Sequence, residues 1–211
     1  TNEATYEIQY GNVKRPTHYN TSWDEARFEV CAHKWLDVSE DGYGISVLND
    51  CKYGCDVHNG RIGLTMLKSA TYPNPDADKE HHSFTWSLCP HSGRWQENQI
   101  VAKAYLLNNP YRAVIKQKDG GSLTKTYSAV SVNVPNVVIE VVKKAEDGDG
   151  MIIRMYECWN RRSRFELQLS EPVEHVYETN LLEEKKEEIT MKENKASLEI
   201  RPFEIKTLIV Y

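Results

Sequence analysis

Short β-branched or aromatic runs, many alternating with polar residues, fill most of the chain and are bounded by Gly, Pro, Asn and Asp. That is the signature of half-buried strands. The run from Ala26 to Val38 inside "TSWDEARFEVCAHKWLDVSE" predicts a first long strand, and "GYGISVLND" a second across the turn "EDGYG". "RIGLTMLKSA" predicts another, ended by the breakers "TYPNPDAD". In "HSFTWSLCPH" Phe84, Trp86 and Leu88 share one face, with Ser83, Thr85 and Ser87 on the other. "AVSVNVPNVVIEVVKKAE" and "GMIIRMYECWN" flank the acidic Gly turn "DGDG", a hairpin signal. "SRFELQLSEPVEHVYETNLL", "KASLEIRPF" and "EIKTLIVY" complete the set.

One stretch departs from the two-residue period. Ile100, Val101, Ala104, Tyr105 and Leu107 recur at helical spacing before Asn108-Asn109-Pro110, which predicts a helix from about Glu97 to Leu107. The charge run Leu181–Lys195 admits a helix with paired charges. Its alternation favours two solvated edge strands around a hairpin. The pattern thus predicts an all-β, mostly antiparallel protein: a large β-sandwich or supersandwich with at most one or two short helices.

Composition narrows the function. The chain has 211 residues, 40% apolar and 27% charged, with a net charge of −5. A nucleic-acid partner would call for a basic surface. No run of 18 apolar residues exists, so no transmembrane helix and no membrane partner are expected. The start "TNEATYEIQYG" has no signal-peptide pattern and no initiator Met, which reads as a piece of a longer protein. Five cysteines, Cys31, Cys51, Cys55, Cys89 and Cys158, are an odd and irregular set, as in a reducing compartment.

Motifs for chemistry are sparse. Cys51 and Cys55 lack the second pair of a four-ligand metal site. His81 and His82 with His91 could bind a metal, but neighbours on a strand point to opposite faces. There is no G-x-S-x-G, no P-loop and no G-x-G-x-x-G. Carboxylates are abundant (Asp24, Glu29, Asp37, Glu40, Asp50, Glu157), but sequence cannot pair two of them at glycosidase spacing. The loop "LNDCKYGCDVHNG" is unusual: Asn49, Asp50, Lys52, Tyr53 and Asp56 surround Gly54 just after a strand. Such a loop suits sugar hydroxyls, and equally suits a plain turn.

The segments "YGNVKRPTHYNTSWDEARFEVCAHKWLDVSE", "LNDCKYG", "PNPDADKEHHSF" and "NLLEE…RPFEIKTLIVY" resemble the C-terminal region of glycoside hydrolase family 38 α-mannosidases, nearest the cytosolic and vacuolar branch. The resemblance runs from Tyr6 to Tyr211. It departs at Lys79-Glu80 and at Cys55. It implies that residues 1–211 are the C-terminal β-sandwich domain of a longer enzyme, with a sub-boundary near 127–136. It implies a retaining, zinc-dependent hydrolysis of terminal α-mannosides in oligomannose catabolism, with nucleophile and zinc ligands on an N-terminal barrel upstream. This chain would then be scaffold and active-site wall, inactive alone, with no catalytic residue, metal ligand or cofactor of its own.

The implied partners are that missing barrel and a mannose-containing oligosaccharide, with a homo-oligomer possible. The implied location is cytoplasmic, or vacuolar and lysosome-like. Candidate cleft-wall residues are Asn49, Asp50, Lys52 and Tyr53 in the loop, and His18, Asn20, Trp23 and Asp24 before the first long strand. Arg154, Tyr156 and Glu157 are weaker candidates. For all of these an interdomain or core hydrogen-bond network is the alternative role. The alternative function is a free-standing carbohydrate-binding module.

Overall fold

A computed structural model describes residues 1–115 and 126–211. The chain divides into two compact units, Thr1–Ala113 and Val114–Tyr211. Strands dominate both, and every strand pairing among the described residues is antiparallel.

The first unit holds β1 (Glu3–Ile8), β2 (Gly11–Pro16), α1 (Ser22–Ala26), β3 (Val30–Cys31), β4 (Trp35–Ser39), β5 (Tyr43–Asn49), β6 (Gly54–His58), β7 (Arg61–Leu64), β8 (Trp86–Ser92) and α2 (Ile100–Asn108). A five-stranded sheet runs β2-β1-β4-β5-β8, and a three-stranded one β3-β6-β7. Ala4, Tyr6, Leu36 and Val47 from the large sheet pack with Cys55 and Val57 from the small one. On α2, Ile100 and Ala104 are fully buried. Trp95, ahead of α2, meets Trp35 of β4 with ring centroids 4.7 Å apart.

The long strand expected over Ala26–Val38 is instead the last residue of α1, then two separate strands, β3 and β4. The cause is local chemistry. Thr21 accepts from the Asp24 N–H at 3.2 Å, while Asp24 Oδ2 accepts from the N–H groups of Asn20 and Thr21 at 3.2 and 3.1 Å. This reciprocal cap starts a helical turn that runs into the first residue of the expected strand, Ala26. The helix expected over Glu97–Leu107 forms as Ile100–Asn108. In β8, Trp86 and Leu88 do share a face, but that face is exposed; His91, on the other, is buried. Of the strand expected in "RIGLTMLKSA", only Arg61–Leu64 is extended in a sheet.

The second unit holds β9 (Val130–Val132), β10 (Val137–Lys144), β11 (Met151–Glu157), β12 (Ser163–Leu169), β13 (Val176–Thr179), β14 (Lys185–Glu188), β15 (Lys195–Ile200) and β16 (Ile205–Val210). The sheet β10-β11-β16-β13-β14 faces β15-β12-β9. Ile153, Met155 and Leu208 of the first interleave with Phe165, Leu167 and Ile200 of the second. This is a sandwich. The "DGDG" turn joins β10 to β11 as expected; the Ala145 N–H donates to the Gly150 carbonyl at 2.7 Å, and Gly148 takes φ +79°. In Leu181–Lys195, β14 is a fully exposed edge strand. The alternating strand β15 that follows belongs to the opposite sheet, so the two do not form the expected hairpin pair.

Candidate functional site

The loop after β5 is built around Asn49. Its side-chain N–H donates to the His33 carbonyl at 2.5 Å, and its Oδ1 accepts the Lys52 N–H at 2.6 Å. Its own carbonyl accepts from Asn108 Nδ2, at the C-terminal end of α2, at 3.1 Å. Asn49 is 4% exposed, and these bonds employ both ends of its amide inside the protein. Its role is to set the loop's shape.

Asp50, Lys52 and Tyr53 are then displayed at the rim. Asp50 Oδ2 accepts the Thr85 N–H at 2.9 Å, and the Asp50 N–H donates to the Thr85 carbonyl at 3.1 Å. The other oxygen, Oδ1, is occluded and has no hydrogen-bond partner. A hydrogen bond from the Cys51 thiol, and then the Thr85 N–H, hold the Asp50 carboxyl below the usual range; the same bond pushes the Cys51 thiol up. Lys52 Nζ lies 5.1 Å from the Phe84 ring centre. Tyr53 is 44% exposed and meets His33 edge-on at 5.0 Å. Burial, and then Lys34, lower the His33 pKa, so its ring is neutral at physiological pH. The end of the sheet thus carries a carboxylate, an ammonium, a phenol and a neutral imidazole, a set that can exchange hydrogen bonds with vicinal hydroxyls.

The segment His18–Asp24 lies elsewhere. β1 and β2 are antiparallel, with Glu3 opposite Pro16 and Ile8 opposite Gly11. His33 follows from the Ile8 end, where its N–H donates to the Glu7 carbonyl, whereas residues after Pro16 leave from the Glu3 end. Tyr19 stacks on His58 at 3.8 Å, at the far end of β6 from Tyr53. The two candidate sets therefore flank opposite ends of the sandwich and do not form one site.

Within the second set, His18 Nδ1 lies 3.6 Å from Asp24 Oδ2. Desolvation raises the Asp24 pKa, but hydrogen bonds from Thr21 and Asn20, aided by His18, bring it below the usual range. Both residues line a cavity with Tyr6, Arg15, Arg27 and Asp56 of about 20 Å³, room for roughly one water. A sugar ring does not fit there. Asn20 is exposed, and Trp23 is 75% exposed.

The weaker candidates are largely internal. Arg154 Nε donates to Thr207 Oγ1 at 3.0 Å and its guanidinium reaches the Leu181 carbonyl at 3.1 Å. Tyr156 is 3% exposed and Glu157 fully buried. Glu157 accepts from Asn136 Nδ2 and from the N–H groups of Trp159, Arg161 and Phe203.

One cluster escaped sequence reasoning. Ser46 Oγ donates to Asp37 Oδ1 at 2.6 Å and lies 3.3 Å from His91 Nε2, which is itself 2.8 Å from the same Asp37 oxygen. In a hydrolytic triad the serine is accessible and the carboxylate binds the other ring nitrogen. Here Ser46 is 0% exposed, and His91 Nδ1 bonds the Gly93 carbonyl at 3.1 Å. The cluster braces β4, β5 and β8 together. No sequence signal marks it, because its members meet only through strand register.

Comparison with known proteins matches residues 1–76 to the model "Glycosyl hydrolases family 38 C-terminal domain", and residues 136–208 to "Glycosyl hydrolases family 38 C-terminal beta sandwich domain". The chain is similar to Alpha-mannosidase 2C1 of Homo sapiens, 40% identical over all of this chain and 20% of that protein. It is similar to Alpha-mannosidase G of Dictyostelium discoideum, 41% identical over 97% of this chain and 19% of that one. Its fold matches the crystal structure of an alpha-mannosidase from Enterococcus faecalis V583, with TM-score 0.80 and 20% identity, covering 100% of this chain and 24% of that one. The chain spans about a fifth of the length of the curated relatives it matches.

Proposed function

Because the chain belongs to glycosyl hydrolase family 38, matching its C-terminal domain models, we propose that residues 1–211 are the non-catalytic C-terminal β region of a longer α-mannosidase. The observation that carries this reading is the full-length match, at about 40% identity, to α-mannosidases five times as long. The whole enzyme would hydrolyse terminal α-mannosides of oligomannose with retention, through two carboxylates. Its catalytic barrel, and the zinc that would template the sugar hydroxyls, belong in this proposal to the part outside this chain. Among the described residues no group of three or more His, Cys, Asp or Glu side chains comes together as metal ligands. The described residues therefore do not fit a zinc site.

In this reading the chain is scaffold and wall. Asp50, Lys52 and Tyr53, held in place by Asn49, face the cleft and contact the oligosaccharide. Support comes from the 44% exposed ring of Tyr53 at the end of the loop. Exposed Trp23, Trp86 and Leu88 supply apolar surface against the barrel. No helix among the described residues is long and apolar enough to cross a membrane. A cytoplasmic location, with a vacuolar one as the alternative, completes the proposal and agrees with cysteines that are all free among the described residues.

The test is an assay of the 211-residue chain on an aryl α-mannoside, with and without zinc. No turnover is expected in either case, and clear turnover by the chain alone overturns the reading. In the longer enzyme, Tyr53→Ala raises KM by about tenfold if Tyr53 borders the substrate; unchanged kinetics remove it from the wall.

A further inference from the structure

A fully buried carboxylate of the second unit lies under the loop between β11 and β12. Glu157 is 0% exposed. Its carboxylate accepts from Asn136 Nδ2 at 2.9 Å, from the Trp159 N–H at 2.8 Å, from the Arg161 N–H at 3.2 Å and from the Phe203 N–H at 3.1 Å. A buried carboxylate is tolerated only when its oxygens are well satisfied. Here that satisfaction fixes the backbone of a surface loop. Asn160 and Phe203 both sit at positive φ, 60° and 54°, beside the carboxylate. For a ring as bulky as Phe203 such a conformation persists only where its surroundings over-determine it.

The loop so fixed presents Trp159, Arg161 and Arg162 around a cavity of about 270 Å³, also lined by Pro135, Asn136 and Arg164 of β12. That approaches the roughly 300–1,000 Å³ typical of small-molecule sites. Arg164 is committed to Glu199, Nε to Oε1 at 2.6 Å. The guanidinium groups of Arg161 and Arg162 have no acid partner among the described residues. Two guanidiniums lining one cavity offer more donors than a single carboxylate can accept, and suit a tetrahedral dianion. The half-buried indole of Trp159 adds a flat apolar face at the same rim.

We propose that this cavity is a binding site for a phosphomonoester carried on a sugar, with Arg161 and Arg162 taking the phosphate and Trp159 the ring face. The proposal is independent of the α-mannosidase reading, since it rests on side chains of the second unit alone.

Titration calorimetry of the 211-residue chain at low salt tests it, with glucose 6-phosphate, inorganic phosphate and glucose as probes. Saturable binding is expected for glucose 6-phosphate, weaker binding for inorganic phosphate and none for glucose, all declining with added salt. The double variant R161A/R162A weakens glucose 6-phosphate binding by about tenfold or more. Trp159→Ala brings glucose 6-phosphate down to the affinity of inorganic phosphate. Both arginines are exposed, so the double variant keeps the parent's unfolding midpoint. Absence of saturable phosphate binding, or binding unchanged in R161A/R162A, overturns the site. Equal affinity of the parent chain for the two phosphates overturns the role given to the ring.

Discussion

His91 Nε2 lies 2.8 Å from Asp37 Oδ1, with both side chains only 1% exposed. This pair ties β8 to β4 across β5, with Ser46 bridging from below. Replacing His91 by Ala strands a buried carboxylate. The expected loss is about 3–5 kcal/mol in urea unfolding. Removing the exposed Lys14–Glu3 pair should cost no more than about 1 kcal/mol in the same measurement. Similar losses at both places would mean that the buried pair is not a brace.

Gly44 tests the same region from the opposite direction. A Cβ built there would lie 2.4 Å from His91 Cε1 and 2.4 Å from Ser39 Oγ. Gly44→Ala is therefore expected to destabilise by about 1–3 kcal/mol through overpacking. Gly42→Ala, with nothing within 4 Å of its added Cβ, is the control for the loss of a glycine.

The cap of α1 predicts a smaller effect. Thr21→Ala removes the acceptor for the Asp24 N–H and should cost about 1 kcal/mol. Thermal unfolding is the readout, with Thr21→Ser expected to restore most of the loss.

Asp50 gives a pH signature. Its carboxyl is held below the usual range in the folded protein, chiefly by the Cys51 thiol and the Thr85 N–H. A carboxyl with a lowered folded pKa stabilises above its unfolded value, about 3.9, and that contribution disappears as pH falls through the folded one. Asp50→Asn should therefore be less stable than the parent at pH 7, with the gap narrowing towards pH 3. A gap that stays constant between those pH values contradicts the assignment.

The cysteines differ in reactivity by burial. Cys55 is buried and its thiol is pushed up to about 12, first by desolvation and then by Cys31 and Asp56. Cys31 and Cys51 are exposed. At pH 8 a maleimide should label Cys31 first, Cys51 more slowly because Asp50 pushes its thiol up, and leave Cys55 unmodified until urea is added.

What could be read from the sequence was the period of the strands and the strong turns. "DGDG" and the alternation in "HSFTWSLCPH" were visible because each is a local property of consecutive residues. The break of the segment Thr21–Glu40 into a helix and two strands was hidden, because a reciprocal cap of two polar side chains, Thr21 and Asp24, starts a turn just ahead of the apolar pattern. Which face of β8 is buried was hidden too, since that depends on where α2 and the small sheet end. The same limit applies to the candidate residues. Asn49 and Asp50 are one residue apart and look equivalent in sequence, yet one is consumed inside the loop and the other ties the loop to Thr85. His18 and Tyr53 looked like members of one wall, and only strand direction reveals that they stand at opposite ends.

The four residues of β14, Lys-Lys-Glu-Glu, are all exposed and pair on one side only, to β13. They contribute nothing to the core, and their charges discourage a further strand from adding to the sheet. A tag, a label or a few inserted residues at this edge would leave the core between the two sheets untouched.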